Sequence, residues 1–347
     1  MQVLRTYTNY GAAIELPKLV LLGGNTVAAV FMLMKYMPAR YILDRAAQEG
    51  RLHRGSLIIE TTSGTFGLAL AILAALRGYR LILVSDPAID EPLRLHIEDL
   101  GAQLEIVHQS DESGNWQGPR MQRLNELLAS NPGSFCPGQY HNTYNRGGYS
   151  PLAGLLVESL GKIDCLVGSV GSGGSVCGTS EYLRVQFPDL HVIGVDTHGS
   201  ILFGQPVRPR LLRGLGNSIM PGNLDHTAFN EVHWVSPGEA FAATRALHRK
   251  HAIYAGPTSG AAYLVADWWA KQHPDARVAV IFPDEGHRYA TTVYNDSWLR
   301  ENEVWLPDAP TAPVTVNDPV AAGPGWSRIC WDRRTYEEVL GTPLPQE

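Results

Sequence analysis

The stretch "SLIIETTSGTFGLALAILAALRG", residues 56–78, decides the fold class of this chain. It begins with a short run of apolar, β-branched residues that is typical of a buried strand. A loop rich in threonine, serine and glycine follows, and then a long apolar helical pattern with no charge before Arg77. In open α/β sheets, ligands bind where strands end and helices begin. The stretch therefore predicts a strand-to-helix unit and a binding loop within it.

The same alternation of apolar runs and helical patterns recurs along the chain. Uncharged strands separated by helices indicate parallel sheets that are covered on both faces. We therefore predict an α/β fold of two domains, with parallel twisted sheets flanked by helices. Further strand-like runs are "YRLILVS" (79–85), "AQLEIV" (102–107), "DCLVGSV" (164–170), "LHVIGVD" (190–196) and "ARVAVIFP" (276–283).

The composition is that of an ordinary globular enzyme. Hydrophobic residues make up 44% of the 347 residues and charged residues 18%, and this length allows about two domains. The net charge is −6 and no basic cluster occurs, which argues against a nucleic-acid partner. The four cysteines lack the spacing of a zinc site or a disulfide framework. We therefore expect no metal and a reducing, cytoplasmic location.

One uncharged segment, residues 19–34, resembles a membrane span only superficially. Gly23 and Gly24 interrupt it, and it is shorter than the ~20 apolar residues that cross a bilayer. We interpret it as buried core with a turn, and we expect no membrane partner.

Three loops before helices have compositions that favour ligand binding. "GSGGS", residues 171–175, favours a compact phosphate site, because glycines allow close backbone approach and a helix N-terminus favours anions. A nucleotide loop or a structural turn are the alternatives, although the dinucleotide pattern fails at Val176. "ETTSGTFG", residues 60–67, suits a carboxylate, and it also suits simple helix capping. "AGPTSGAA", residues 255–262, is a weaker signal of the same kind.

Taken in their order along the chain, the three loops resemble the cysteine-synthase-like branch of fold-type-II enzymes that use pyridoxal 5′-phosphate. The resemblance runs from about residue 25 to residue 304. "QYHN" (139–142), "GLGNSIMP" (214–221) and "FPDEGHRY" (282–289) match further motifs of this family. The resemblance implies pyridoxal 5′-phosphate as cofactor and small amino acids as substrates.

The resemblance also assigns roles to residues of the matched motifs. It implies that the "GSGGS" loop holds the cofactor phosphate, that Thr258 faces the pyridine nitrogen, and that Thr65 stands near the ring oxygen. The phosphate loop consists of Gly171, Ser172, Gly173, Gly174 and Ser175, and the implied substrate site of Thr62, Ser63, Gly64, Gln139 and Gly214.

A catalytic lysine is the remaining requirement of this cofactor. The chain has five lysines: Lys18, Lys35, Lys162, Lys250 and Lys271. Lys35 precedes Ser63 by 28 residues, which is similar to the spacing in the family, and the other four lie at turns or polar helix ends. We therefore predict Lys35 as the catalytic lysine. Its flank departs from the family, because Tyr36 and Met37 replace the usual Asp-Arg.

One branch of the family resembles the chain more closely, namely the enzymes that begin 2,3-diaminopropionate synthesis in siderophore pathways. "VDTHGSILFG" (195–204), Tyr149, Arg210 and "YNDSWL" (294–299) carry this match. It implies β-replacement on an O-activated L-serine, through an α-aminoacrylate, with an amine such as L-glutamate as nucleophile. Tyr149 and Arg210 are candidates for binding the second substrate. A cysteine synthase and a catalytically silent relative are the alternatives.

The resemblance also predicts the domain organisation. We expect a larger cofactor-binding domain from residues 1–37 and 146–306, and a smaller mobile substrate domain from residues 38–145. Homodimers are usual in the family. The Pro-rich extension, residues 307–347, is interpreted as a linker with one docked helix, and a role in dimer contacts or in covering the active site is the alternative.

Overall fold

The computed structural model describes residues 6–62, 64–111, 116–212 and 214–345. Its strands form an eight-stranded sheet in the order β1-β2-β9-β6-β7-β8-β11-β10 and a three-stranded sheet in the order β3-β4-β5. The strands are β1 (Lys18–Gly23), β2 (Thr26–Val30), β3 (Leu57–Thr61), β4 (Arg80–Ser85), β5 (Gln103–Ile106), β6 (Cys165–Ser169), β7 (His191–Asp196), β8 (Glu231–Trp234), β9 (Val278–Phe282), β10 (Val314–Thr315) and β11 (Ser327–Cys330).

Helices cover both sheets. The α-helices are α1 (Tyr10–Ile14), α2 (Tyr36–Gln48), α3 (Thr65–Arg77), α4 (Glu91–Asp99), α5 (Gln117–Ser130), α6 (Tyr144–Gly147), α7 (Ser150–Leu160), α8 (Gly174–Gln186), α9 (Pro237–His251), α10 (Pro257–Gln272), α11 (Asp296–Glu301) and α12 (Tyr336–Leu340). Short 3₁₀ helices occur at Ile201–Phe203, His226–Ala228, His287–Tyr289 and Pro319–Ala321.

The α/β prediction is confirmed, and the sheets are parallel where they are most buried. Strands β2, β9, β6, β7 and β8 pair in parallel, and every residue of β6 and β9 is buried. Helices α9 and α10 contribute to the core on one face of this sheet, and α7 and α8 contribute to the core on the other. Double coverage explains why these strands are almost uncharged. The three-stranded sheet is parallel throughout and lies within residues 38–145.

The large sheet also contains two antiparallel pairs, β1 with β2 and β8 with β11, which the parallel-sheet prediction missed. Strand β1 pairs antiparallel with β2 through a turn at Gly23 and Gly24, both of which have positive φ. Strand β2 is largely buried, whereas Leu21 of β1 is 65% exposed. The interpretation of residues 19–34 as core with a turn therefore holds for β2 and fails for the edge strand. In the described part of the chain, no helix combines the length and apolarity needed to cross a membrane.

The C-terminal extension contains more structure than a linker with one docked helix. Strand β11 pairs antiparallel with β8, and β10 pairs parallel with β11. The tryptophans on either side of β11, Trp326 and Trp331, are 2% and 0% exposed. The prediction missed these strands because prolines and glycines dominate the segment between them.

Candidate active site

A cavity of about 470 Å³ is lined by loops that follow strands of both sheets. Parallel strands end at the same edge of a sheet, so loops from distant parts of the chain meet there. The wall of this cavity contains most of the residues that the sequence singled out. These are Lys35, Thr62, Gly64, Thr65, Gln139, Gly171, Ser172, Ser175, Arg210, Gly214 and Thr258.

Lys35 lies between strand β2 and helix α2, and it forms part of the cavity wall. Its Nζ donates a hydrogen bond to Ser172 Oγ over 3.1 Å. Burial lowers the pKa of the Lys35 ammonium to about 8, from the ordinary 10.5. Met34 lines the cavity beside it, and Met37 is completely buried. The apolar flank thus removes water from the amine, which favours its neutral, nucleophilic form.

The segment after β9 fixes the backbone around Lys35. Met34 N donates to Pro283 O over 2.9 Å, and Leu33 forms an isolated bridge with Asp284. Tyr289 donates its hydroxyl proton to Asp284 Oδ2 over 2.7 Å. The motif at residues 282–289 therefore holds the lysine segment mainly through its backbone and one buried carboxylate.

The glycine loop after β6 forms a cradle at the N-terminus of α8. Gly173 has φ +80°, and a Cβ there would lie 2.6 Å from Leu224 Cα. A Cβ at Gly174 would lie 2.2 Å from Asn145 Oδ1. Side chains are therefore excluded at both positions, although neither glycine is itself on the cavity wall. The amides at the start of this 13-residue helix have the geometry that can hold an anion.

The loop after β3 opens a second helix N-terminus toward the cavity. Thr62 is 5% exposed, and its Oγ1 accepts a hydrogen bond from Gly64 N over 3.1 Å. Thr65 is the first residue of α3. Gln139 donates from Nε2 to Thr61 O over 3.3 Å. Ser63, which belongs to the same predicted site, lies outside the described residues.

Glu60 at the end of β3 supports this loop, and the sequence reasoning did not assign it a role. Its Oε2 accepts hydrogen bonds from Gly138 N over 2.7 Å and Gln139 N over 3.3 Å, and its Oε1 accepts one from Thr61 N over 2.8 Å. Glu60 is 2% exposed, and burial raises the pKa of its carboxyl to about 7 despite these bonds. A charged residue that ends an otherwise apolar strand was the available signal.

The third predicted loop brings Thr258 to the cavity in the first turn of α10, where it is 4% exposed. Gly214 approaches it closely, since a Cβ at Gly214 would lie 3.7 Å from Thr258 Cγ2. A Cβ at Gly171 would in turn lie 3.0 Å from Gly214 O. The "GLG" segment therefore packs between the glycine loop and the threonine loop.

Arg210 lines the cavity, and hydrogen bonds to neutral oxygens hold its guanidinium. Nη1 donates to Gly199 O and Nη2 to Ser218 Oγ, each over 3.0 Å. No carboxylate within the described part of the chain forms an ion pair with it. Desolvation lowers the pKa of Arg210, although Asp196 nearby opposes this shift. Among the residues described, Arg210 is therefore a half-buried cation with Asp196 nearby but no carboxylate within ion-pair distance.

The structure does not bring Tyr149 to the cavity wall and so gives its prediction as a substrate ligand no support. Tyr149 is 0% exposed and belongs to the core under the large sheet. It immediately precedes α7, whose apolar face of Leu152, Ala153 and Leu156 is buried in the same core. Its hydroxyl has no hydrogen-bond partner in the part of the chain that the structure describes.

Arg120 is a cavity residue that the sequence reasoning missed. It lies on α5, is 7% exposed, and forms an ion pair with Asp86 over 3.1 Å. Its Nε atom is buried without a hydrogen-bond partner among the residues described. An arginine in the pattern "PRMQRLNELL" resembles a solvated helix residue, so no local signal distinguished it. Only the packing of α5 against the strands turns it inward.

With this geometry established, comparison with known proteins decides the family. A family model described as pyridoxal-phosphate dependent enzyme matches residues 34–284. The chain belongs to this family. The match begins at Met34, next to Lys35. It ends at Asp284, which forms an isolated β-bridge with Leu33, two residues before Lys35. The family resemblance inferred from the motifs is thereby confirmed.

Two relatives from bacteria agree with this assignment. The chain is 34% identical over 272 residues to N-(2-amino-2-carboxyethyl)-L-glutamate synthase of Cupriavidus metallidurans, covering 77% of this chain and 80% of that protein. It is 35% identical over 269 residues to the protein of the same name from Ralstonia nicotianae, with the same coverage of 77% and 80%.

A solved structure has the same fold. O-acetylserine dependent cystathionine beta-synthase from Helicobacter pylori superimposes with a TM-score of 0.76 at 27% identity. The match covers 83% of this chain and 99% of that chain. About a sixth of this chain therefore lies outside the fold that the two proteins share.

Proposed function

We propose that this protein binds pyridoxal 5′-phosphate through Lys35 and catalyses β-replacement on O-phospho-L-serine, with the amine of L-glutamate as nucleophile. This reaction would supply 2,3-diaminopropionate or siderophore biosynthesis. The observation that carries the proposal is the Lys35 amine, whose pKa is lowered to about 8 and which lies 3.1 Å from the hydroxyl of the glycine loop.

The residues present fit the cofactor. The loop from Gly171 to Ser175 offers an anion site at a helix N-terminus, and Gly171, Ser172 and Ser175 line the cavity. Lys35 supplies the amine that the aldehyde requires. Thr258 offers a neutral hydroxyl on the opposite wall, which suits a pyridine nitrogen that stays unprotonated.

When bound, the cofactor supplies the electron sink that stabilises negative charge at the substrate Cα. The residues of this chain would move the protons and hold the substrate. Lys35, once free, is the base that takes the Cα proton and the acid that returns it, because its lowered pKa brings both forms within reach near neutral pH. Ser172 accepts its hydrogen bond and so orients Nζ.

The α-carboxylate of the donor would bind at the start of α3. The amides there and the hydroxyls of Thr62 and Thr65 favour an anion, and Gln139 lies next to them through its bond to Thr61 O. Glu60 acts as a positioning residue, since it ties the backbone of Gln139 to the end of β3.

Arg120 favours phosphate as the leaving group. A nearly buried guanidinium with an unpartnered Nε suits an anionic group, and arginine binds phosphate with a fixed fork of donors. Arg120 also pairs with Asp86 over 3.1 Å, so a phosphate would share this guanidinium with the carboxylate. The two relatives that bear the name N-(2-amino-2-carboxyethyl)-L-glutamate synthase support glutamate as nucleophile.

A cysteine synthase that uses O-acetylserine and sulfide is the second candidate. Gly171 favours it, because this loop resembles that of cysteine synthases more than that of the diaminopropionate branch. The O-acetylserine dependence in the name of the Helicobacter pylori protein points the same way. Arg210 favours the glutamate reaction, because its guanidinium hydrogen-bonds to neutral oxygens and sulfide needs no guanidinium partner.

The test has two stages. Purified protein is loaded with pyridoxal 5′-phosphate and reduced with borohydride, and the modified peptide is located by mass spectrometry. We expect modification at Lys35 and none in Lys35→Ala. O-phospho-L-serine and O-acetyl-L-serine are then offered with L-glutamate or sulfide, and the products are identified by mass. We expect N-(2-amino-2-carboxyethyl)-L-glutamate from O-phosphoserine, and a loss of rate of about 10²–10⁴-fold or more in Lys35→Ala.

Modification of another lysine would disprove the assignment of Lys35. Cysteine as the preferred product would replace the glutamate reaction with the second candidate. Absence of product from both donors would reject the whole substrate class.

A further inference from the structure

The C-terminal segment at residues 314–340 lies outside the family match of 34–284, yet it is built into the large sheet. Its strand β11 pairs with β8 in the register Ser327 to Trp234 and Cys330 to Glu231. Trp326 is further held by its indole nitrogen, which donates to His233 Nδ1 over 3.1 Å. The segment is therefore a fixed part of the molecule, and its contacts with its neighbours are specific.

This segment forms hydrogen bonds with the loop at residues 197–206, which leads from β7 toward the cavity. Gln205 Nε2 donates to Pro319 O over 3.2 Å, and His198 Nε2 lies 3.1 Å from Gly325 O. Gln205 is only 7% exposed, so loss of its partners would leave buried polar atoms unsatisfied. Two backbone carbonyls of the extension thus determine the positions of two side chains of the loop.

Aromatic packing strengthens the same contact. The ring of Phe203 meets that of Trp331 edge to face at a centroid distance of 5.2 Å. Tyr336 of α12 contacts His226 at 5.2 Å, and His226 Nε2 lies 2.7 Å from Leu202 O. The middle of the loop is therefore anchored to the extension as well as its ends.

The hydrogen bonds continue from the loop into the cavity. Gln205 Oε1 accepts from Gly199 N over 3.0 Å. Gly199 O then accepts from Arg210 Nη1 over 3.0 Å and from Arg208 N over 3.1 Å. The position of Gly199, which Gln205 determines, thus sets the position of the guanidinium on the cavity wall.

We propose that the C-terminal segment positions Arg210, through Gln205 and Gly199, for the carboxylates of the amine substrate. The inference rests on the proposed function. The donor's carboxylate has its own site at α3, and Arg120 is paired with Asp86. Arg208 and Arg210 both line the cavity and form no ion pair with a described carboxylate. Of the two, Arg210 is the one whose guanidinium is held through Gly199 O, so it is the cation that this contact would position for a second anionic amino acid. Gln205 is a positioning residue, because it acts through Arg210 and does not line the cavity.

Two substitutions at Gln205 separate this role from general stability. Gln205→Ala removes the hydrogen bonds to Gly199 N and Pro319 O and the longer contact with His198 Nδ1. Gln205→Glu keeps the acceptor for Gly199 N and loses the donor to Pro319 O and His198. The matched control is Gln272→Ala, because Gln272 also donates to a backbone carbonyl but lies exposed at the end of α10. Each holoenzyme is assayed for phosphate release from O-phosphoserine alone and for KM toward L-glutamate.

We expect both Gln205 variants to raise the KM for glutamate by about tenfold, as the loss of one buried hydrogen-bonded link would do. The phosphate release step should stay within about twofold of wild type. Hydrogen exchange should rise over residues 197–211 in both variants and stay unchanged in Gln272→Ala. Equal changes in the donor step and in the glutamate KM would overturn the inference, and so would faster exchange with an unchanged KM.

A failure of the proposed glutamate reaction can be told apart from a failure of the link between the extension and Arg210. If the wild-type enzyme forms no product with glutamate, the proposed function falls and the exchange data alone decide the link. The link from the extension to Arg210 then stands if Gln205→Glu raises exchange at residues 208–211, and it falls if exchange there equals that of wild type.

Discussion

At the residue scale, Lys35 combines reactivity with a cost in stability. Burial removes water from its amine. The pKa of this amine is about 8 in the folded chain, against 10.5 for an ordinary lysine side chain. The lowered value means that the folded state holds the proton less tightly than the unfolded state. Between these two pH values the unfolded chain binds more protons, so the free energy of unfolding rises with pH in this window.

This reasoning predicts the behaviour of Lys35→Met in the cofactor-free protein. Replacement of the amine by an apolar chain of similar length should raise the free energy of unfolding at neutral pH by roughly 1–2 kcal/mol. It should also abolish the rise in stability between pH 8 and 10.5. Denaturant melts of both proteins across this range measure the two effects. A wild-type stability that is flat across the window would contradict the lowered pKa.

The rate of cofactor attachment follows from the same pKa. The neutral amine is the nucleophile, so attachment of pyridoxal 5′-phosphate to the cofactor-free protein should accelerate roughly tenfold per pH unit below 8 and level off above it. Rapid-mixing absorbance gives the profile. Nα-acetyl-lysine, which keeps its side-chain amine, is mixed with the same aldehyde as the control. Its rate profile should continue to rise to about pH 10.4. A profile for the protein that follows the control would show an ordinary lysine.

At the element scale, the glycine loop depends on a backbone conformation and on close packing together. Gly173 has φ +80° and lies against the backbone of Leu224, so an added Cβ cannot be relieved by a side-chain movement. Gly161 also has positive φ, +71°, but a Cβ there would have nothing within 4 Å. A substitution at Gly161 therefore tests the backbone strain alone, whereas one at Gly173 tests the strain together with the loss of close packing in the cradle.

We expect Gly173→Ala to weaken the binding of pyridoxal 5′-phosphate at least tenfold and to lower the free energy of unfolding by about 2–4 kcal/mol. Gly161→Ala should cost about 1 kcal/mol and leave cofactor affinity unchanged. Titration of the cofactor by absorbance, combined with denaturant melts, tests both variants. Equal cofactor affinity in the two variants would mean that the cradle does not hold the phosphate.

At the scale of the whole molecule, one ion pair connects the parts that carry the two sheets. Arg288, which follows β9, donates from Nε to Asp90 Oδ2 over 3.0 Å, and the two side chains are 16% and 28% exposed. Asp90 also caps α4 by accepting from Leu93 N. Since Arg288 lines the cavity, the pair joins the cavity wall to α4, and we expect it to help hold that side of the cavity closed.

Asp90→Asn tests this closure while keeping the helix cap, because asparagine caps helices as well as aspartate does. We expect α4 to stay folded and the KM for the donor to rise by about three- to tenfold, since a partly buried, charge-assisted pair is lost. Asp90→Ala removes the cap as well and should cost about 1 kcal/mol more in unfolding free energy. Hydrogen exchange of Glu91–Asp99 distinguishes the two variants. An unchanged KM in Asp90→Asn would mean that the ion pair does not hold the cavity closed.

Local sequence predicted the buried parallel strands and the three loops, and it singled out Lys35 as the candidate lysine. The apolar runs of β3, β4, β6, β7 and β9 are visible because burial on both faces demands apolar residues at successive positions. The three loops are visible because helix N-termini and close backbone approach demand hydroxyls and glycine. Lys35 was found since the chain has few lysines and the family spacing singles out one of them.

Only the tertiary structure decided which side chains face the cavity. Arg120 and Tyr149 show the reason: an arginine on an amphipathic helix turns inward toward Asp86, and a tyrosine from a family-like motif turns into the core. The extension is the same case, because β11 exists only where β8 offers an edge. Chemistry carried by adjacent residues can be read from local sequence, whereas the direction of a side chain depends on packing partners that are distant in the chain.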